Sequence, residues 1–206
     1  MTGRRSLIVR GLACSRGGRT LFHDVDFALE AGDLVWLRAA NGYGKTTLLR
    51  ALTGLLMPDA GTIARPGGDA PLYYVAHANA LKGDLTVVES LRHHARLHAI
   101  ELDETTIAAT LGRFGLHARR HASTRALSQG QRRRVALAAL ALGRADATWI
   151  LDEPYDALDA EGTAIVDALL VEHADAGGSA LFTSHVPPAI DAGRLRILQL
   201  DAGLAT

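Results

Sequence analysis

The chain has one cysteine, Cys14, in 206 residues, so no disulfide can close within it, and the expected setting is the cytoplasm. It has no excess charge of either sign: 22 lysines and arginines balance 22 aspartates and glutamates. The whole-protein electrostatic footprint of a nucleic-acid binder is therefore missing, which leaves only a local basic patch such as Arg132-Arg133-Arg134. No stretch reaches the roughly 18 consecutive apolar residues that a membrane-spanning helix needs, so any membrane role is expected to run through a partner. A signal peptide is not expected, because the apolar run Leu7 to Val9 stops at Arg10, too short to serve as the apolar h-region that a twin-arginine signal would need after Arg4-Arg5. Repeats and low-complexity segments are absent as well. Lysine is nearly so, with only Lys45 and Lys82 in a chain that otherwise uses arginine. Hydrophobic residues are plentiful at 48%, enough for a single domain over residues 1–206 with one well-buried core.

Lys45 lies in the stretch that organises the rest, Leu34 to Leu49, LVWLRAANGYGKTTLL. The run Leu34 to Leu37 reads as a strand. Ala39, Ala40, Asn41, Gly42, Tyr43 and Gly44 then form a loop whose successive N–H groups turn inward on an anion, and a helix restarts at Lys45. Lys45 is expected to reach the β- and γ-phosphates of a nucleotide. The Thr46 hydroxyl is placed to ligate Mg²⁺, and with Thr47 it opens a helix whose N-terminus adds partial positive charge. The pattern G-x-x-x-x-G-K-[ST] fails at its first glycine, where Ala39 stands, and alanine is tolerated there only with a negative φ. The plainer alternative is a glycine-rich strand-to-helix turn with an exposed lysine.

Alternating apolar residues from Leu7 to Cys14 and from Leu21 to Leu29, around Arg16-Gly17-Gly18-Arg19, predict two antiparallel strands and a turn. The helix after the loop is expected to run to Leu55 or Leu56 and to be stopped by Pro58-Asp59-Ala60-Gly61, with a further strand over Leu72 to Ala76. Thr86 and Glu89 have capping-box spacing ahead of Val87, Val88, Leu91 and Ala95, and Ile107, Leu111 and Phe114 mark a second helix over Glu104 to Phe114, closed by Gly115. These two helices predict a helical subdomain, about residues 78–126, inserted in the core. Ser128 and Gln131 fit another capping box ahead of the helix Val135 to Leu142, so Ser128 and Gly130 offer either an ordinary cap or a second anion site. Thr148 to Leu151 reads as a buried parallel strand ending on Asp152 and Glu153. The carboxyl ends of strands line the ligand crevice of an open α/β sheet, which places Asp152 to hold Mg²⁺ through water and Glu153 to take a proton from attacking water. A helix over Ala160 to Asp175, a strand over Ala180 to Thr183 that delivers Ser184 and His185 to the same edge, and a strand over Leu195 to Leu200 complete an α/β fold.

The phosphate loop, the LSxGQ-like run Leu127 to Gln131, the strand ending in Asp152-Glu153, Ala157-Leu158-Asp159 and His185, in that order, resemble the ATP-binding subunit of ABC transporters over nearly the whole chain. The resemblance implies a P-loop NTPase of ABC ATPase type that binds ATP and Mg²⁺, with a RecA-like core, an antiparallel β subdomain and the inserted helical one. It implies that two subunits sandwich two ATP molecules. Ser128 and Gly130, with Gln131 beside them, would contact nucleotide held by the other protomer, and Asp159 would sit at that interface. His185 would touch the γ-phosphate in its own subunit, and Glu153 would be the general base. Cys14 to Arg19 followed by Leu21-Phe22, Tyr74 to His77 followed by Lys82, Leu85-Thr86 and Glu89, and Gln131-Arg132-Arg133 further resemble the haem-exporter ATP-binding subunits of cytochrome c biogenesis, the CcmA type. That implies a homodimer in the ATP state, peripheral on the cytoplasmic face of the bacterial inner membrane. It would drive an integral membrane permease, alongside haem-handling cytochrome c biogenesis proteins and without nucleic acid. The alternative is a soluble ABC-type ATPase acting on nucleic acid or ribosomes. That class usually carries coiled-coil insertions or two ATPase units, and this chain has neither.

Some positions depart from the pattern. Ala39 and Ala76 stand where glycine is usual, Ser90 where asparagine is, and Tyr155-Asp156 is an unusual pair after the two carboxylates. His77 occupies the place of a glutamine that contacts Mg²⁺ and the attacking water. Arg16 stands roughly where an aromatic stacks on adenine; its planar guanidinium can do the same, or it is a solvated turn residue. His94 and His98, and His117 and His121, are spaced four apart, but without an H-E-x-x-H arrangement they are expected to be surface histidines and not metal or haem ligands. Of Arg132, Arg133 and Arg134 only some can share a helix face, and a solvated or interface role is expected.

Overall fold

In the computed structural model, which describes residues 5–66 and 70–200, the chain opens with β1 (Arg5–Arg16) and β2 (Arg19–Glu30). They pair antiparallel across Gly17-Gly18, both at positive φ, the left-handed region that a glycine enters without a side-chain clash. β3 (Leu34–Arg38) leads through the glycine-bearing loop into α1 (Lys45–Leu52). α1 is shorter than the spacing predicts. Gly54 adopts a φ of 74°, and the Leu55 N–H closes back on the Arg50 carbonyl, so the helix ends in a glycine turn well before Pro58. The segment read only as a helix stop also holds β4 (Ala60–Ala64), an edge strand antiparallel to β1. Four of its five residues are exposed and only Ile63 packs on the core, so no alternation announces it.

β5 (Leu72–Val75) ends one residue earlier than expected. α2 (Val87–Leu97) starts from a complete capping box: the Glu89 N–H donates to Thr86 Oγ1 at 3.3 Å, and the Thr86 N–H to Glu89 Oε2 at 2.8 Å. α3 (Glu104–Arg113) is capped by Asp103 and followed by two short 3₁₀ turns, His117–Arg119 and Thr124–Ala126, that the sequence did not indicate. The outgoing and returning chain lie side by side at one neck, where the Val87 N–H meets the Ala122 carbonyl at 3.1 Å and the Thr124 N–H meets that of Leu85 at 2.9 Å. α4 (Gln129–Ala141) begins six residues before Val135, directly after its cap Ser128. β6 (Thr148–Leu151), α5 (Ala160–Asp175), β7 (Ser179–Thr183) and β8 (Leu195–Gln199) follow.

The strands form two sheets, an antiparallel one in the order β2-β1-β4 and a parallel one in the order β5-β6-β7-β3-β8. Every residue of β6 and β7 is buried, because helices cover one face of the parallel sheet, and α1 with the antiparallel sheet covers the other. One apolar cluster joins Leu91, Leu111, Phe114, Val135 and Leu170 to the sheet; the second joins Phe22, Leu29, Leu48 and Leu49 to Ile150 and Leu181. Burying each such side chain stabilises the fold by about 1.5–3 kcal/mol. The carboxyl ends of β3, β5, β6 and β7 meet at one edge, which brings the loops after Arg38, Val75, Leu151 and Thr183 together. The expected domain bounds 1–206 include residues 1–4 and 201–206, which lie outside the described residues.

Candidate nucleotide site

Six residues separate β3 from α1, and the chain must turn sharply within them. Gly42 and Gly44 do this at φ of 82° and 89°, and a Cβ on Gly44 would also lie 3.0 Å from Leu21 Cβ and 3.1 Å from the Phe22 ring. Glycine is therefore required at Gly44 by both angle and space. Ala39 is not among the residues with positive φ, and its side chain packs on the core, so the missing first glycine costs no strain. No side chain caps α1, which leaves its first N–H groups open to the loop. Lys45 Nζ donates to the Ala39 carbonyl at 2.8 Å, and among the described residues it forms no ion pair, so its charge is uncommitted.

Behind the loop stand the two carboxylates. Asp152 is 3% exposed, and both its oxygens are used: Oδ2 accepts from Thr46 Oγ1 at 2.9 Å and Oδ1 from Thr183 Oγ1 at 3.0 Å. The Thr183 oxygen in turn accepts the Glu153 N–H at 2.9 Å. Glu153 has a φ of 54°, a strained value for a residue with a side chain. The turn brings its carboxylate to His185, with Oε1 3.2 Å from Nε2 and Oε2 accepting the His185 N–H at 3.0 Å. Thr183 was not singled out from the sequence; the available signal was a hydroxyl residue at the end of the strand before Ser184-His185.

A cleft of about 500 Å³ collects most of the expected residues. Ala40, Asn41, Gly42, Gly44, Lys45, Thr46 and Thr47 line it from the loop side, His77, Asp152, Glu153 and His185 from the other strand ends, and Arg16 from the β1–β2 hairpin. Ala39 stands behind it, holding Lys45. Tyr43 does not line it; its ring faces the Arg19 guanidinium at 5.9 Å. Ser128, Gly130, Gln131 and Asp159 are not brought to this cleft and lie at the starts of α4 and α5, with Ser128 and Asp159 exposed. Ser128 and Gln131 bond each other's backbone N–H groups, at 3.2 and 3.1 Å. Gly130 lies so close to the 157 turn that a Cβ would sit 2.4 Å from the Ala157 carbonyl oxygen. Asp159 accepts from the Gly162 N–H at 2.8 Å and from Arg134 at 2.5 Å, which together hold its carboxyl below the ordinary range.

Two expectations about basic residues need correction. Arg133 is not solvated: it is 1% exposed, with Nη1 donating to the Ala76 carbonyl at 3.0 Å and Nη2 to that of His77 at 2.9 Å. His94 is not a surface residue either. It packs beside Tyr73 and His98, at ring distances of 6.0 and 4.5 Å, its Nε2 is buried without a partner, and burial pushes its pKa down to about 4. Among the described residues no group of three His, Cys, Asp or Glu is placed to hold a metal ion.

Three comparisons agree with this geometry. The profile of the family described as ABC transporter matches residues 22–156. The chain is 45% identical to the cytochrome c biogenesis ATP-binding export protein CcmA of Cupriavidus necator, over 95% of this chain and 88% of that protein. It is 43% identical to the protein of the same name from Nitrosococcus oceani, over 95% and 92%. Among solved structures it resembles the ATP-binding subunit of an ABC transporter with a TM-score of 0.79 and 25% identity, over 96% of this chain and 88% of that one.

Proposed function

This chain belongs to the ABC transporter family, has the fold of its ATPases, and shares the family's activity of ATP hydrolysis coupled to transport; within that family we propose that it is the ATP-binding subunit of the haem exporter of cytochrome c biogenesis. The likeness to the CcmA proteins supports the exporter reading, and the observation that supports hydrolysis is one hydrogen-bonded path from Thr46 through Asp152 and Thr183 to Glu153 and His185, beside the cleft that the phosphate loop floors.

The residues have separate tasks. The open N–H groups of the loop and of α1 bind phosphate oxygens, and Lys45 exchanges the Ala39 carbonyl for the β- and γ-phosphates. The pairing of a Thr46 hydroxyl with a buried Asp152 carboxylate is a hard-oxygen donor set that fits Mg²⁺. These two residues would hold Mg²⁺, which would supply neutralisation of phosphate charge. Glu153 accepts the proton of the water that attacks the γ-phosphorus, and His185, on leaving Glu153, donates to the γ-phosphate. His77 faces the same space from the chain just after β5 and takes part in the reaction by contacting the attacking water, and Arg16 stacks on adenine.

Ser128, Gly130, Gln131 and Asp159 act across a homodimer, on nucleotide held by the second subunit; their place away from the cleft supports this. Residues 78–126 form the helical subdomain of a single domain. The family's membrane partner, here an integral permease, docks on the apolar surface around Leu72, where Leu55, Met57 and Leu97 are 67%, 90% and 68% exposed. The subunit is then peripheral on the cytoplasmic face of the inner membrane, beside haem-handling proteins of the same pathway. A nucleic-acid role gains no support, since Arg133 is buried and the Arg134 side chain, 13% exposed, is paired with Asp159.

Calorimetric titration with Mg·ATP tests the site. Lys45→Ala is expected to weaken binding about 100-fold, the scale of losing charge-assisted hydrogen bonds. Equal affinity in parent and variant would remove the phosphate-loop assignment.

A further inference from the structure

Arg133 heads the fully buried side chains by volume. A charge withdrawn from water persists where hydrogen bonds and nearby opposite charge replace its hydration. Arg133 is only partly compensated. Its two bonds go to backbone carbonyls, its Nε has no partner, and Asp156, Asp152 and Glu153 act on it only through their field. Burial draws its pKa down against that field. A methionine would fill the same space between α4 and the sheet without this penalty. The guanidinium must therefore do something at the carbonyls it holds.

Ala76 and His77 are consecutive, and in an extended strand consecutive carbonyls point in opposite directions. One planar fork can take both only if the chain leaves strand geometry there. This is where β5 ends, at Val75, one residue earlier than the apolar run predicts. The residue whose carbonyl Nη2 takes, His77, is also the one that lines the nucleotide cleft.

We propose that Arg133 is a positioning residue for ATP hydrolysis: its fork sets the backbone at Ala76-His77 and so holds the His77 imidazole in the cleft, opposite the phosphate loop. The inference rests on His77 taking part in the reaction, and the test separates the two claims.

The experiment is a double-mutant cycle on the full chain purified with its membrane partner, measuring kcat and KM for ATP in the parent, His77→Ala, Arg133→Met and the double variant. Each single substitution is expected to lower kcat about tenfold with little change in KM, the signature of an interaction made in the transition state. The double variant is expected to be no slower than the slower single one, because both changes remove the same placed imidazole. Arg133→Lys keeps the charge but offers no fork to two carbonyls, and is expected to match Arg133→Met in kcat while melting near the parental temperature. If Arg133→Met does not fold, Arg133→Lys takes its place in the cycle; failure of both to fold would make the residue structural and overturn the proposal. A slow His77→Ala combined with multiplicative losses in the double variant overturns the role of Arg133 alone. Parental kcat in His77→Ala overturns the His77 reading, and the proposal with it.

Discussion

Thr183 ties the two acidic residues of the site together, donating to the Asp152 carboxylate and accepting the Glu153 backbone N–H, with its side chain fully buried. Thr183→Val keeps the shape and removes both bonds. It is expected to lower stability by about 1–3 kcal/mol, the usual effect of leaving a buried donor and acceptor short of a partner. ATPase turnover should fall as well, because the strained Glu153 loses the bond that fixes its backbone. Urea denaturation and a turnover assay check the two parts. Thr183 did not stand out in the sequence, and Arg133 did so only as one of three adjacent arginines with an expected solvated or interface role, whereas Lys45, Thr46, Asp152 and Glu153 stood out for the roles the site gives them. The difference is locality: the phosphate loop is a run of adjacent residues with a fixed spacing, while Thr183 acts on residues 30 and 31 positions away and Arg133 on residues 56 and 57 positions away. Ala39 breaks the spacing rule without breaking the site, since the rule encodes a glycine angle that this loop does not use there.

At the scale of elements, the bounds of α5 follow from the sequence because Asp159 caps it and the helix runs into Gly177, which has a positive φ. β4 and the early end of α1 do not, because one is an exposed edge strand and the other closes on a glycine turn ahead of the visible proline. α5 also carries His173, whose ring stacks on Trp149 of β6 at 3.5 Å and bonds the Ala147 carbonyl through Nε2 at 2.9 Å. Burial pushes its pKa down to about 4. The unfolded histidine titrates near 6.5, so between about pH 6.5 and 4 the unfolded chain binds a proton that the native chain does not. Stability is therefore expected to be level above that window, to fall as pH drops through it, and to stop falling from this source once the native histidine also protonates. His173→Phe keeps an aromatic ring against Trp149 and cannot take a proton. Denaturation curves across this range should slope less for the variant than for the parent, and equal slopes would remove His173 as a source of the acid sensitivity.

For the whole molecule, the parallel order β5-β6-β7-β3-β8 explains why residues from five regions of the chain share one cleft: the loops after four of these strands open at one edge, and the β1–β2 hairpin adds the rim. The order of motifs along the sequence made this architecture legible, but the neck that closes the helical insertion was not, since it depends on backbone pairs between residues 35–39 positions apart. As proposed above, this subunit works as an ATP-closed pair with Glu153 as the base. This is tested most directly by light scattering on Glu153→Gln with and without Mg·ATP, alongside a turnover assay. The account predicts that hydrolysis slows by on the order of 100-fold or more, the contribution of a positioned general base. It also predicts that bound ATP raises the particle mass from one chain of 21.8 kDa to two. A variant that hydrolyses ATP at close to the parental rate, or that binds ATP and remains a single chain, would contradict it.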